Sequence, residues 1–111
     1  MLLLTTEGRK TGKARTVPLL YIEADEGLVV VASNGGAPTH PAWYLNLRAN
    51  PKATAEVRRE IHPVLARDAT ADERARFWPE LVAVYRWYES YQTKTSREIP
   101  LVVLQPIGES S

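Results

Sequence analysis

Six β-prone runs of five to eight residues divide the chain: Leu2–Thr6, Thr16–Glu23, Leu28–Ser33, Lys52–Arg59, Ile61–Arg67 and Ile99–Gln105. Strands this short need several neighbours and a shared apolar face before they are stable. Asp25-Glu26-Gly27 supplies a hairpin turn into Leu28–Ser33, a run apolar enough to be covered on both faces. Pro41 suits the first position of a helix reaching about Ala49 and closed by Asn50-Pro51. Thr70 and Glu73 have capping-box spacing for a second helix. Pro79 predicts a kink or a fresh start there, after which Trp78, Leu81, Val82, Tyr85 and Tyr88 recur at helical spacing. The order is three strands, a helix, two strands, a helical pair and a last strand. It predicts a mostly β fold with inserted helices, a six-stranded antiparallel barrel or curved sheet rather than a βαβ array.

With 111 residues and 44% apolar content, the chain has the size and composition of one globular domain. No apolar run approaches the roughly 18–20 residues that span a bilayer. Met1-Leu2-Leu3-Leu4 lacks a charged n-region and reads as the start of a strand, not a signal peptide. There are no cysteines, which excludes disulfides, thiolate metal sites and thiol redox chemistry and suits a reducing cytoplasm. Electron chemistry therefore requires a bound cofactor. Of the net charge of +1, Arg9, Lys10, Lys13 and Arg15 place four positive charges within seven residues. The remainder of the chain is acidic, so a nucleic-acid surface is not expected. One anionic ligand at one loop is.

Four segments carry chemical potential. In Gly8-Arg9-Lys10-Thr11-Gly12-Lys13-Ala14-Arg15 two glycines free the backbone and the cations suit a phosphate or carboxylate, although the P-loop spacing is absent. Taken alone, it equally fits a solvated hairpin tip. Ala32-Ser33-Asn34-Gly35-Gly36 follows the most apolar strand and allows close approach of a flat ligand, or forms a plain flexible loop. Trp43 and Leu47 share a helix face as core anchors, whereas Asn46 beside them is a buried amide that must find partners. Tyr85, Tyr88 and Tyr91 spread over an arc of about 120° on a single helix and put more hydroxyl there than a core requires. His40 and His62 have no metal-ligand spacing, and neither a nucleophile elbow nor a dinucleotide fingerprint is present. No metal site is expected.

Taken in order, Leu4–Pro18, Val31–Pro51, Ala66–Leu81 and Tyr85–Pro100 resemble the deazaflavin (F420)-dependent nitroreductase family of actinobacteria. The resemblance implies a split β-barrel like those that bind FMN, with residues 1–111 forming one deazaflavin-binding domain. It also implies coenzyme F420, an 8-hydroxy-5-deazaflavin with a phosphate and an oligoglutamate tail. Arg9, Lys10 and Arg15, helped by Lys13, are implied for the anionic end. Pro18, Ala32, Ser33, Gly35, Gly36, Trp43 and Asn46 are implied for the remaining cofactor contacts. Ser33, Tyr85, Tyr88 and Tyr91 are implied to line the catalytic pocket. The implied reaction is hydride transfer from the reduced coenzyme to a quinone or a nitroaromatic.

Two departures are visible. Some members carry a pocket tyrosine two residues after the proline matching Pro18, where this chain has Leu20, and Tyr21 next door points to the opposite strand face. Relatives also often begin with an additional N-terminal segment, which this sequence does not carry. That segment bears on pocket closure or membrane contact, so membrane contact is expected to be peripheral at most, at the inner face. A monomer or homodimer is expected. Two other readings keep the fold: an FMN-dependent reductase, or a non-enzymatic carrier of a cofactor or lipophilic ligand.

Overall fold

The computed structural model describes residues 1–107, and seven strands in it form one antiparallel sheet. In chain order these are β1 (Leu2–Glu7), β2 (Ala14–Leu19), β3 (Ile22–Ala24), β4 (Gly27–Val31), β5 (Lys52–Val57), β6 (Glu60–Asp68) and β7 (Leu101–Pro106). Helix α1 (Ala42–Ala49) follows β4, while α2 (Ala71–Val84) and α3 (Trp87–Lys94) lie between β6 and β7. The spatial order is β2-β1-β5-β6-β7-β4-β3.

The expected six strands are seven because the run Thr16–Glu23 is two strands at opposite edges of the sheet. Only Leu20 and Tyr21 join them. Three Cα steps reach at most about 11 Å, so the edges must approach each other and the sheet must curl. Two β-prone segments in immediate succession look like one strand in sequence, since the change of edge leaves no mark on residue type.

Curling gives the sheet two differently covered faces. Leu2, Leu4, Val30, Ala55, Val64, Val102 and Leu104 share one core with Trp43, Tyr44 and Leu47 of α1. Val29, Val31, Leu101 and Val103 point the other way, into a second core with Phe77, Leu81 and Tyr88 of α2 and α3. Side chains alternate across a strand, so β4 and β7 need apolar residues at every position. That is why Leu28–Val31 and Leu101–Leu104 are unbroken aliphatic runs. The β5–β6 hairpin turns on Arg58 and Arg59, at φ 52° and 71°, so the strand expected to reach Arg59 ends at Val57.

Pro79 does not break its helix. α2 runs through it to Val84, and the chain leaves helical geometry only at Tyr85, with φ −150° and ψ 94°. Pro79 removes the N–H that would bond Ala75, but both residues are exposed, so water can satisfy the freed carbonyl.

The start of α2 is heavily tied. The Thr70 hydroxyl accepts from the Glu73 N–H at 3.2 Å, and the Glu73 carboxylate accepts from the Thr70 N–H at 2.9 Å. Arg67 donates to both Glu73 oxygens, at 2.7 and 2.8 Å. Arg67 first, and then the Thr70 N–H, hold the Glu73 carboxyl down at about 2, from an ordinary 4.5. A carboxylate with a lowered folded-state pKa contributes stability fully above its ordinary value, and that contribution is lost as pH falls towards the lowered one. Glu73→Gln is therefore expected to melt earlier at pH 7 and to show a flatter stability profile than the parent between pH 4.5 and 2. Thermal unfolding across that range checks this.

Candidate functional site

Glycine and one buried amide shape the β1–β2 connection. The Gly8 N–H donates to the Lys13 carbonyl at 2.8 Å, the Gly12 N–H to the Gly8 carbonyl at 2.7 Å, and Gly12 sits at φ 74°. Asn46 of α1, 4% exposed, holds this loop from behind. Its Oδ1 accepts from the Arg9 N–H at 3.1 Å and from Arg9 Nη1 at 2.9 Å, while its Nδ2 donates to the buried Thr6 hydroxyl at 3.1 Å. These partners satisfy the amide that sequence spacing left unexplained.

Between this loop and α1 lies a cavity of about 590 Å³, within the usual size range of ligand pockets. Arg9, Lys10 and Arg15 line it together with Thr11 and Thr16, and Val17, Ala42 and Trp43 supply apolar wall. Among the described residues, none of Arg9, Lys10, Lys13 and Arg15 is paired with a carboxylate. Three cations on one wall and an indole on another suit a ligand with an anionic end and a flat apolar body. Lys13 is exposed and does not line the cavity. Pro18 pairs with Leu3 and lies one residue beyond Val17, which puts it on the other face of β2.

A second group of residues gathers at α3. Asn34, Gly35 and Gly36 form a single turn of 3-10 helix with φ of 48°, 65° and 81°. A Cβ on Gly36 would lie 2.9 Å from the Tyr91 carbonyl, so this glycine lets the turn sit directly on α3. Gly35 faces open space. The turn is also held by Arg97, whose guanidinium donates to the carbonyls of Ala32, Ser33 and Ala37.

Tyr85 lies at the helix break, not on a helix with Tyr88 and Tyr91, so the arc expected for one helix does not apply. The three rings meet nonetheless. Tyr85 and Tyr91 share a hydrogen bond of 3.0 Å between their hydroxyls, and Tyr85 stands edge-on to Tyr88 with centroids 5.0 Å apart. The Tyr91 bond raises the Tyr85 phenol, and burial pushes the Tyr88 phenol up to about 12. Tyr85 and Tyr88 therefore keep their phenolic protons at neutral pH.

The sequence-expected residues thus form two groups. Arg9, Lys10, Arg15, Trp43 and Asn46 share the basic cavity. Ala32, Ser33 and Gly36 associate with Tyr91 and Arg97 at the other end of the loop leading into α1. Sequence reasoning missed Arg97, which is indistinguishable from a solvated charge when only its neighbours in the chain are considered. It also missed the bond from the Tyr44 hydroxyl to Asp68, 2.9 Å; burial first, and then this bond, push Tyr44 up to about 12. Among the described residues, no group of His, Cys, Asp or Glu is arranged to hold a metal ion.

Residues 1–106 match a family model described as F420H(2)-dependent quinone reductase. The chain is 43% identical over 105 residues to Rv3178 of Mycobacterium tuberculosis, provisionally named an F420H(2)-dependent quinone reductase, covering 95% of this chain and 88% of that protein. It is also similar to the solved structure of an F420-H2 dependent reductase, FDR-A, with a TM-score of 0.84 and 41% identity over 94% of this chain and 92% of that one. A further solved chain, described as a domain-swapped dimer, has a TM-score of 0.85 and 41% identity over 94% of this chain and 78% of that one.

Proposed function

The chain belongs to the F420H(2)-dependent quinone reductase family, and from that premise we propose that it transfers a hydride from reduced coenzyme F420 to a quinone. The observation that carries this reading to the chain's own residues is the cavity in which Arg9, Lys10 and Arg15, unpaired with any described carboxylate, face the Trp43 wall. Those cations fit the phosphate and the acidic tail. Val17, Ala42 and Trp43 fit the start of the flat ring system. The family names F420H(2), and nothing in the cavity favours FMN over it.

When bound, the reduced deazaflavin supplies the hydride. The protein's share is to bind, orient and exclude water. Asn46 fixes Arg9 so that the anion meets a preset donor instead of a mobile side chain. Ser33 would border the ring, with the buried Ala32 and the Gly36 packed on α3 holding that turn in place, and the tyrosine cluster would face the acceptor. In the Tyr85–Tyr91 pair one hydroxyl donates to the other, so one O–H remains to donate to a quinone carbonyl or a nitro oxygen. The Tyr85 phenol, raised by its bond to Tyr91, keeps its proton at pH 7. Nitroaromatics are a second acceptor class on the same geometry, with Leu20 removing one hydroxyl that some members provide.

No helix of the described residues is long and apolar enough to cross a membrane. We place the protein in the cytoplasm, in keeping with its lack of cysteine, and pairing of two copies has a precedent in the similar domain-swapped dimer.

Titrating the purified protein with the reduced coenzyme and then with menadione tests the reading. Saturable binding followed by coenzyme oxidation is expected; absence of both would overturn it. Tyr85→Phe and Tyr91→Phe together are expected to lower kcat/KM for menadione about tenfold, one neutral hydrogen bond, with coenzyme affinity unchanged. Steady-state kinetics beside a binding titration checks this.

A further inference from the structure

We propose that Arg97 is a positioning residue that fixes the Ala32–His40 loop against α3, and that His40 makes this fixing sensitive to pH. The assignment rests on the coenzyme-dependent activity proposed above, because the same loop carries Ser33 and Gly36.

The geometry is that of a single fork serving four acceptors. Arg97 Nη2 donates to the Ser33 carbonyl at 2.7 Å and Nε to the Ala37 carbonyl at 2.9 Å. Nη1 donates to the Ala32 carbonyl at 3.2 Å and meets His40 Nδ1 at 3.1 Å. Three carbonyls spread over six residues are therefore set by one rigid plane. The backbone beneath Arg97 is itself fixed. Gln92 of α3 donates to the Arg97 carbonyl at 2.8 Å and accepts from the Ile99 N–H at 3.0 Å. The Ala32 N–H donates to the Pro100 carbonyl at 3.0 Å. Arg97 thus joins the loop bordering the proposed ring site to the helix bearing Tyr88 and Tyr91. No described carboxylate pairs with it, so its directional bonds are to the loop.

A guanidinium has no acceptor and keeps its proton, so His40 Nδ1 must accept. His40 is then neutral, with its proton on Nε2. The groups facing it are Arg97 and Glu98 on the segment before β7, Arg48 and Tyr44 on α1, Asp68 on β6 and Arg74 on α2. Burial first, then the charges of Arg97 and Arg48, hold His40 below its ordinary 6.5, with Asp68 opposing. Asp68 is already engaged by the Tyr44 hydroxyl. The clamp is complete above pH 6.5. As pH falls, protonation puts a donor and a positive charge against Arg97, and the fourth acceptor is lost.

Two arms test this. In the protein without coenzyme, hydrogen exchange at the amides of residues 33–37 and 39, corrected for intrinsic rates, is expected to speed up about tenfold in Arg97→Ala. Guanidinium at sub-denaturing concentration is expected to restore protection where sodium does not. In the coenzyme-loaded enzyme, His40→Asn keeps an acceptor that does not titrate. A fall in menadione turnover below pH 6.5 is expected in the parent and is expected to be absent from this variant, and the comparison cancels the coenzyme's own titration. Should Arg97→Ala fail to fold, Arg97→Lys, whose single ammonium cannot span the four acceptors, is expected to lose protection in the same amides. Unchanged protection in either folded Arg97 variant, or identical pH profiles for His40→Asn and the parent, would overturn the proposal. Failure of the parent to bind coenzyme would instead count against the proposed function, while the exchange arm would still decide the clamp.

Discussion

Replacing Lys10 and Arg15 together by alanine is expected to weaken binding of the reduced deazaflavin coenzyme about a hundredfold, with the melting temperature almost unchanged. Each side chain lines the cavity, and neither is paired with a described carboxylate. A charge-assisted hydrogen bond to an anion contributes about 1.5–3 kcal/mol, and the lower figure applies because both groups are exposed. Two such losses correspond to roughly two powers of ten in Kd. The loop's own shape comes from backbone bonds at Gly8, Gly12 and Lys13, which the substitutions leave in place. Salt screening gives a second readout. The parent's affinity should fall as ionic strength rises, and the double variant's should fall much less, so the two differ most at low salt. Coenzyme fluorescence titrations at several salt concentrations check both. Equal affinities would contradict the assignment of the loop.

Asn46→Leu is expected to have the larger effect on the fold, about 3 kcal/mol of lost stability. The substitution leaves the Arg9 N–H without its acceptor and the buried Thr6 hydroxyl without its donor, and each orphaned group costs about 1–3 kcal/mol. Affinity for the coenzyme should fall as well, because Arg9 is no longer held. Asn46→Asp separates these effects. Aspartate can accept from Arg9 and also from the Thr6 hydroxyl, which rotates to donate. Its stability is therefore expected to lie near the parent's. Its carboxylate, however, neutralises Arg9 at the cavity wall and repels an anion. Chemical denaturation and coenzyme titration of the two variants should give opposite rankings: leucine the less stable, aspartate the weaker binder.

Much of this arrangement was legible in the sequence because it depends on local chemistry. The capping box at Thr70 and Glu73 is a contact between residues three apart, and it forms as the spacing predicts. The aliphatic run of β4 announces burial on both faces, and both faces are buried. What escaped was long-range. Nothing in Leu20-Tyr21 announces that the chain passes from one edge of the sheet to the other. Pro79 was expected to interrupt a helix, but its exposed position lets water satisfy the freed carbonyl. The role of Arg97 depends on carbonyls 60 or more residues away in the chain, brought to it by the pairing of β4 with β7. The candidate site was legible as a set of residue types, and its division into a basic cavity and a tyrosine cluster was not.

The most direct test is an experimental structure with the deazaflavin coenzyme bound. The account predicts the phosphate within hydrogen-bond reach of Arg9, Lys10 and Arg15, and the ring system running past Trp43 to the Ala32–Gly36 backbone with the tyrosine cluster over its open face. A phosphate seated away from the Gly8–Arg15 loop, for instance in the cavity bounded by His40, Asp68 and Arg74, would contradict it.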